Sequence, residues 1–215
     1  RLYHYAQLLL ALAVNEARYG ATGTPLKFWH RWRERELPEE ELARLRGPRS
    51  AGEIDELRGE LHWSWLRAAH RAEVEAYLDS LALGREVTEQ DRLLNALCRP
   101  ERLLELVRNF TLFEGGERKI ARYQQYFCVK RTLERIRRIG PDGAREGGVV
   151  WHTQGSGKSL TMVMLANAIL EEFREHDPRI VLVTDRIDLD DQIYNTFRGA
   201  GVDLKQAESG ADLRR

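Results

Sequence analysis

Two glycines, a lysine and a hydroxyl stand in the order Gly155-Ser156-Gly157-Lys158-Ser159, and few folds can use that order. The apolar run Gly148-Val149-Val150-Trp151 before it predicts a short strand. A helix is predicted from about Lys158 to Phe173, with Leu160, Met164, Leu165, Ala168 and Ile169 on its buried side. Ile180-Val181-Leu182-Val183 predicts a second strand. Strand, glycine loop, helix and strand over some thirty-five residues is the size of one βαβ unit. Strands this uniformly apolar are read as buried on both faces, which points to a parallel sheet flanked by helices. The residue types then have a chemical reading. Gly155 and Gly157 allow a tight turn whose N–H groups approach phosphate oxygens. The helix start adds partial positive charge. Lys158 would place an ammonium on the β/γ phosphates, and the Ser159 hydroxyl would reach Mg²⁺, so ATP or a close relative is the expected ligand. One position departs from the general pattern, which asks for glycine where His152 stands. A chance match in a flexible loop would lack the flanking strand and helix patterns.

The remainder of the chain narrows the class. Its 34 basic and 34 acidic side chains cancel, which argues against wholesale coating of a polyanion. The balance is uneven, however: residues 118–138 hold eight Lys/Arg and one acid, Glu134. That stretch could track phosphates, although a solvated helix face is the default. Cys98 and Cys128 form neither a metal spacing nor a disulfide framework, as suits a reducing cytoplasm. The apolar run Ala6–Val14 is too short to cross a bilayer, and no basic-then-apolar leader opens the sequence. The first residue is Arg1 rather than Met, as in a fragment. The expectation is a soluble cytoplasmic protein.

Residues 3–24 read as paired strands, with Asn15-Glu16 at a turn, although the Leu/Ala-rich run also suits a buried helix. Phe28-Trp29-His30-Arg31-Trp32 is an aromatic knot of the kind that packs in a core or at a wet edge. Pro38 with Glu39-Glu40-Glu41 resembles a helix start in an otherwise charged stretch. Amphipathic helices are predicted over 61–83, over 89–110 with a break at Pro100, and over 118–139 with Tyr126, Val129, Leu133 and Ile136 on one stripe. The cluster Asp185, Asp188, Asp190 and Asp191 is better explained by an acid-rich helix start than by a metal.

With the loop in place, the segment Val149–Met162 resembles the ATP-binding motif of the R (restriction and translocation) subunit of type I restriction enzymes, including its histidine at 152. Val183-Thr184-Asp185-Arg186-Ile187-Asp188-Leu189-Asp190-Asp191-Gln192 resembles that family's next helicase motif, and Arg122-Tyr123-Gln124-Gln125-Tyr126-Phe127 resembles the segment before its first motor domain. The likeness is specific over about 100–200 and looser over 3–32. It implies an α/β fold class. Residues 100–215 would be the N-terminal part of a first RecA-like, helicase superfamily 2, P-loop motor domain with a parallel sheet. Residues 1–33 would be the C-terminal part of a restriction-endonuclease-like α/β domain, and 34–99 a charged helical connector.

The resemblance also implies an activity, that of an ATP-dependent type I site-specific deoxyribonuclease. Such a subunit pumps and cuts double-stranded DNA beside methylation and specificity subunits, using ATP and Mg²⁺. Carried over by position, Lys158 and Ser159 hold phosphates and metal, and Thr153, Gln154, Gly155, Ser156 and Gly157 form the cradle. Gln125 with Arg122 would read adenine, and Arg186 would contact the DNA backbone. An Asp…Glu-x-Lys nuclease arrangement is not found in 1–33, and no acidic metal motif or second-domain arginine follows before Arg215. The isolated chain is therefore expected to bind nucleotide without pumping or cutting DNA. Three other readings stay open. Another superfamily 2 translocase would lack the Trp-His-Thr-Gln lead-in. A small-molecule kinase would place a lid where Asp185-Arg186 stand. A non-catalytic remnant binding partner subunits would be indifferent to loss of Lys158.

Overall fold

The computed structural model describes residues 5–34, 37–61, 63–65, 67–114, 116–207 and 209–211. In chain order the elements are β1 (Leu9–Leu12), β2 (Ala17–Gly20), α1 (Glu39–Arg46), α2 (Ala51–Glu60), α3 (Ala68–Ser80), α4 (Glu89–Leu97), α5 (Pro100–Asn109), β3 (Thr111–Glu114), β4 (Glu117–Ile120), α6 (Tyr123–Arg137), α7 (Lys158–Glu172) and α8 (Ile187–Gly199). The chain divides into two units, one of residues 1–11, 18–33 and 97–215, the other of 12–17 and 34–96.

The second unit is helical and lies in the most charged part of the sequence. α1 starts behind Pro38 with Glu39, Glu40 and Glu41 in its first turn and Arg44 and Arg46 in its last, each sign facing the favourable end of the helix dipole. α2 starts at a reciprocal cap: the Glu53 N–H donates to Ser50 Oγ, and the Ser50 N–H donates to Glu53 Oε2 at 2.9 Å. A small core of Ile54, Leu78 and Leu81, with Leu61, Trp63 and Val74 against it, holds α2 to α3. The helix predicted over 61–83 is realised only from Ala68. Upstream, the Trp63 indole N–H turns back to donate to the Arg58 carbonyl at 2.8 Å, and Arg71 donates to the Trp63 carbonyl at 2.6 Å. Those side-chain bonds stabilise a short 3₁₀ turn, Trp63–Trp65, instead of continuous helix. His62 and Leu66 of that predicted helix, Arg35 and Glu36 of the charged stretch, and Tyr3 and His4 of the predicted strands lie outside the described residues.

β1 and β2 pair in one two-stranded sheet, and β3 and β4 pair in another within the first unit. The second is antiparallel, with Thr111 opposite Ile120 and Glu114 opposite Glu117. This hairpin takes residues 118–120 from the helix predicted over 118–139, because pairing across Gly116 (φ 81°) satisfies their main-chain groups first. α6 then buries Gln125, Tyr126, Val129 and Leu133, close to the predicted stripe. α7 packs against α6 and α8. Its buried face carries Thr161, Val163, Met164, Ala166 and Ala168, while Leu160, Leu165 and Ile169 are half-buried. The aromatic knot divides its labour. Trp32 is buried against Tyr19 and Tyr126, with ring centroids 5.7 and 5.4 Å away. Phe28 stays exposed.

The predicted parallel sheet does not form among the described residues. Both sheets are small two-stranded ones, and 148–151 and 180–183 have no strand partner. Val149 is 93% exposed and Val183 is 87% exposed. Apolar composition predicts burial of side chains, yet a strand also needs a lateral neighbour for its N–H and C=O groups. None is supplied to either segment.

Candidate nucleotide-binding site

The loop before α7 is curled rather than extended. The N–H and the hydroxyl of Ser156 both donate to the Thr153 carbonyl, at 3.3 and 2.8 Å, and the Lys158 ammonium donates to the same oxygen at 3.3 Å. Three donors on one carbonyl draw 153–158 into a ring with the ammonium over it. Gly155 (φ 74°) and Gly157 (φ 81°) sit in the left-handed region, where a Cβ is costly. Gly157 caps α7, so the first N–H groups of the helix, including those of Lys158 and Ser159, face the loop end without intrahelical partners. Ser159 is half-buried, and Thr153, Gln154 and Lys158 are exposed. Such a ring of amides with one exposed cation at a helix start has the chemistry of an anion cradle.

Gln125 is buried and joins two elements. Its Oε1 accepts the Arg122 N–H at 2.8 Å, which caps α6, and its Nε2 donates to the Gly157 carbonyl at 3.1 Å. A Cβ on Gly157 would stand 2.7 Å from that nitrogen. Gln125 thus fixes the start of α6 against the start of α7. One N–H and one lone pair of its amide remain for a ligand.

A cavity of about 280 Å³ opens beside the loop. Gly155, Gly157, Leu160, Gln125 and Arg122 line one part of it, and Ala21, Phe28 and His30 line another. The second wall is pinned to the first. The Tyr19 hydroxyl, fully buried, donates to the Ala121 carbonyl at 2.8 Å, and Arg122 Nε donates to His30 Nε2 at 3.2 Å. His30 and Tyr19 also exchange main-chain N–H···O bonds, each 2.9 Å. Burial, with Arg122 beside it, pushes the His30 pKa below its ordinary value, which favours the neutral ring whose Nε2 accepts from Arg122. Burial likewise pushes the Tyr19 hydroxyl pKa well up.

The other positions singled out in the sequence are elsewhere. Arg186 is the exposed residue before α8, 3.9 Å from Asp188. α8 begins with Asp188 and Asp190 in its first turn, and no group of three metal-ligating side chains occurs among the described residues. The basic stretch is largely engaged with acids: Lys130 with Glu105, Arg135 and Arg138 with Glu146, and Arg137 with Glu172. Cations already neutralised this way form a weak track for nucleic acid.

Residues 124–215 match the family model described as SWI2/SNF2 ATPase, a span that contains the loop and α7. The endonuclease subunit of the type I restriction enzyme HindI from Haemophilus influenzae is 42% identical over 138 residues, covering 59% of this chain and 13% of that protein. A Methanocaldococcus jannaschii protein named as the MjaIXP type I restriction enzyme endonuclease subunit is 30% identical over 220 residues, covering 100% of this chain and 18% of its own length. Together these matches support a fragment of a type I restriction enzyme endonuclease subunit. The chain spans less than a fifth of the length of these two relatives. No solved structure matches it. No helix among the described residues of this endonuclease-subunit relative is long and apolar enough to cross a membrane. The residues that sequence reasoning missed are Tyr19, Phe28 and His30. Phe28 and His30 stood out in the sequence only as part of an aromatic knot, and the long-range bonds of Tyr19 to Ala121 and of His30 to Arg122 that join their segment to the cavity leave no local pattern.

Proposed function

We propose that the chain is the nucleotide-gripping part of an ATP-driven motor subunit that moves and cuts double-stranded DNA beside methylation and specificity subunits in the cytoplasm. The curled loop at 153–159, with Lys158 folded over the Thr153 carbonyl and two glycines at positive φ, carries this reading. Its position inside the span that matches SWI2/SNF2 ATPases supports it. The residues fit a triphosphate: main-chain amides of 155–159 would hold its oxygens, Lys158 its β and γ groups, and the Ser159 hydroxyl a Mg²⁺ ion. That ion would supply charge neutralisation as the phosphoryl group transfers. Gln125 would hold the cradle and use its remaining amide proton and lone pair on adenine. Residues 148–151 and 180–183 would be strands of a RecA-like parallel sheet, which accounts for apolar side chains as exposed as Val149 and Val183. Residues 1–33 would close a nuclease-like domain, 34–99 would be a connector, and Arg186 would meet the DNA backbone. Titrating a fluorescent ATP analogue against the wild type and Lys158→Ala tests the proposal. A loss of roughly tenfold or more in affinity is expected for the loss of one charge-assisted bond of ~1.5–3 kcal/mol. Equal binding would refute it.

A further inference from the structure

The cavity has two walls of different origin. One joins Gln125, Gly155, Gly157 and Leu160 of the ATPase-matching span to residues 117–120 and Arg122 just ahead of it, and the other, formed by Gly20, Ala21, Thr24, Pro25, Phe28 and His30, lies about a hundred residues before that span. Its volume, about 280 Å³, sits at the lower edge of the ~300–1,000 Å³ usual for small-molecule clefts. That is room for a base with part of its sugar, not for a whole nucleotide, and Gly155 and Gly157 at its rim already belong to the phosphate cradle. The chemistry of the lining is that of a base site. The Phe28 ring lines the cavity and is 51% exposed, with Lys27 Nζ 5.0 Å from its centroid. Leu160 adds apolar surface from the opposite wall. The polar side chains of the lining are mainly donors, with Arg118, Lys119 and Arg122 against the one carboxylate of Glu117. Ring nitrogens of a purine are acceptors and suit such a lining. The wall is also rigid enough to position a ligand, because Tyr19 and His30 bolt it to Ala121 and Arg122 at the start of α6.

We propose that the segment 20–30, outside the ATPase-matching span, forms the purine-base subsite of the nucleotide site, with Phe28 as its stacking platform. The inference rests on the phosphate-cradle reading and adds the base to it. It makes nucleotide affinity depend on a segment remote in sequence from the loop.

The test compares MgATP with magnesium tripolyphosphate, which has the phosphates but no base, by calorimetric titration of the full chain. Wild type, Phe28→Ala, Phe28→Trp and Lys158→Ala are measured, each checked for unchanged thermal melting. Phe28→Ala is expected to weaken ATP roughly tenfold, as loss of one base-aromatic stack does, and to leave tripolyphosphate within about twofold. Phe28→Trp restores ATP binding, and Lys158→Ala weakens both ligands. If Phe28→Ala leaves ATP affinity unchanged, or weakens both ligands alike, the base subsite is overturned while the cradle stands. If wild type binds neither ligand, the cradle reading falls and takes this one with it.

Discussion

Replacing Gly157 by alanine meets two separate obstacles, and Gly155 provides the control for one of them. Both glycines have positive φ, 81° and 74°, so either alanine carries the left-handed cost of roughly 1–2 kcal/mol. At Gly155 a Cβ meets nothing within 4 Å. At Gly157 it would stand 2.7 Å from Gln125 Nε2, which must move and lose its bond to the Gly157 carbonyl. A lost hydrogen bond adds ~0.5–1.5 kcal/mol, giving about 2–3 kcal/mol in all for Gly157→Ala. Urea unfolding of the two single variants should separate them by about 1 kcal/mol. A cycle with Gln125→Ala tests the cause, since removing that side chain abolishes the collision. The double variant should then be more stable than the sum of the singles predicts, by about 1 kcal/mol. If Gly157→Ala and Gly155→Ala agree within about 0.3 kcal/mol, or if the cycle is additive, Gln125 is not the latch on the loop.

Three further outcomes follow from the same geometry. Tyr19→Phe leaves the Ala121 carbonyl without its buried donor and should cost ~1–2 kcal/mol in urea, while Tyr5→Phe, at an exposed site, costs almost nothing. Asp91 is held at a pKa of about 2, first by its side-chain bonds to Arg85 and then by the Thr88 N–H and hydroxyl. A depressed carboxylate stabilises above its unfolded pKa and loses that contribution as pH falls through the folded value. Asp91→Asn should therefore cost ~1–2 kcal/mol at neutral pH, allowing for solvent screening, and the gap to wild type should close between about pH 4 and pH 2. A gap that persists at low pH would mean packing, not charge, is at stake. Arg186→Ala should leave the melting temperature and nucleotide affinity unchanged, because its contact with Asp188 is long and exposed; a drop in either would place Arg186 in the fold or the nucleotide site.

What could be read from the sequence was what local rules control. The glycine order fixed the loop, the break at Pro100 separated α4 from α5, and the aspartates after Thr184 marked the start of α8. Gln125 was picked out by its place ahead of the loop, but its bond to Gly157 spans 32 positions and no pattern announces it. The start of α6 was misplaced because residues 118–120 suit a helix locally and are claimed by the β3–β4 hairpin. The apolar segments at 148–151 and 180–183 show the limit most clearly. Side-chain character says which faces avoid water, and says nothing about whether a neighbouring strand is there to accept the main chain. The second wall of the cavity was hidden for a related reason. Tyr19 and His30 meet Ala121 and Arg122 across 102 and 92 positions.

The central claim is that main-chain amides at the start of α7 hold a triphosphate. Amide hydrogen exchange read residue by residue, with and without MgATP, reports on those groups directly. The account predicts slowed exchange at 155–160, with Lys158→Ala removing most of the effect at the same nucleotide concentration. Unchanged exchange across 153–160 at a concentration where ATP demonstrably binds would contradict it, because the nucleotide would then be held somewhere else.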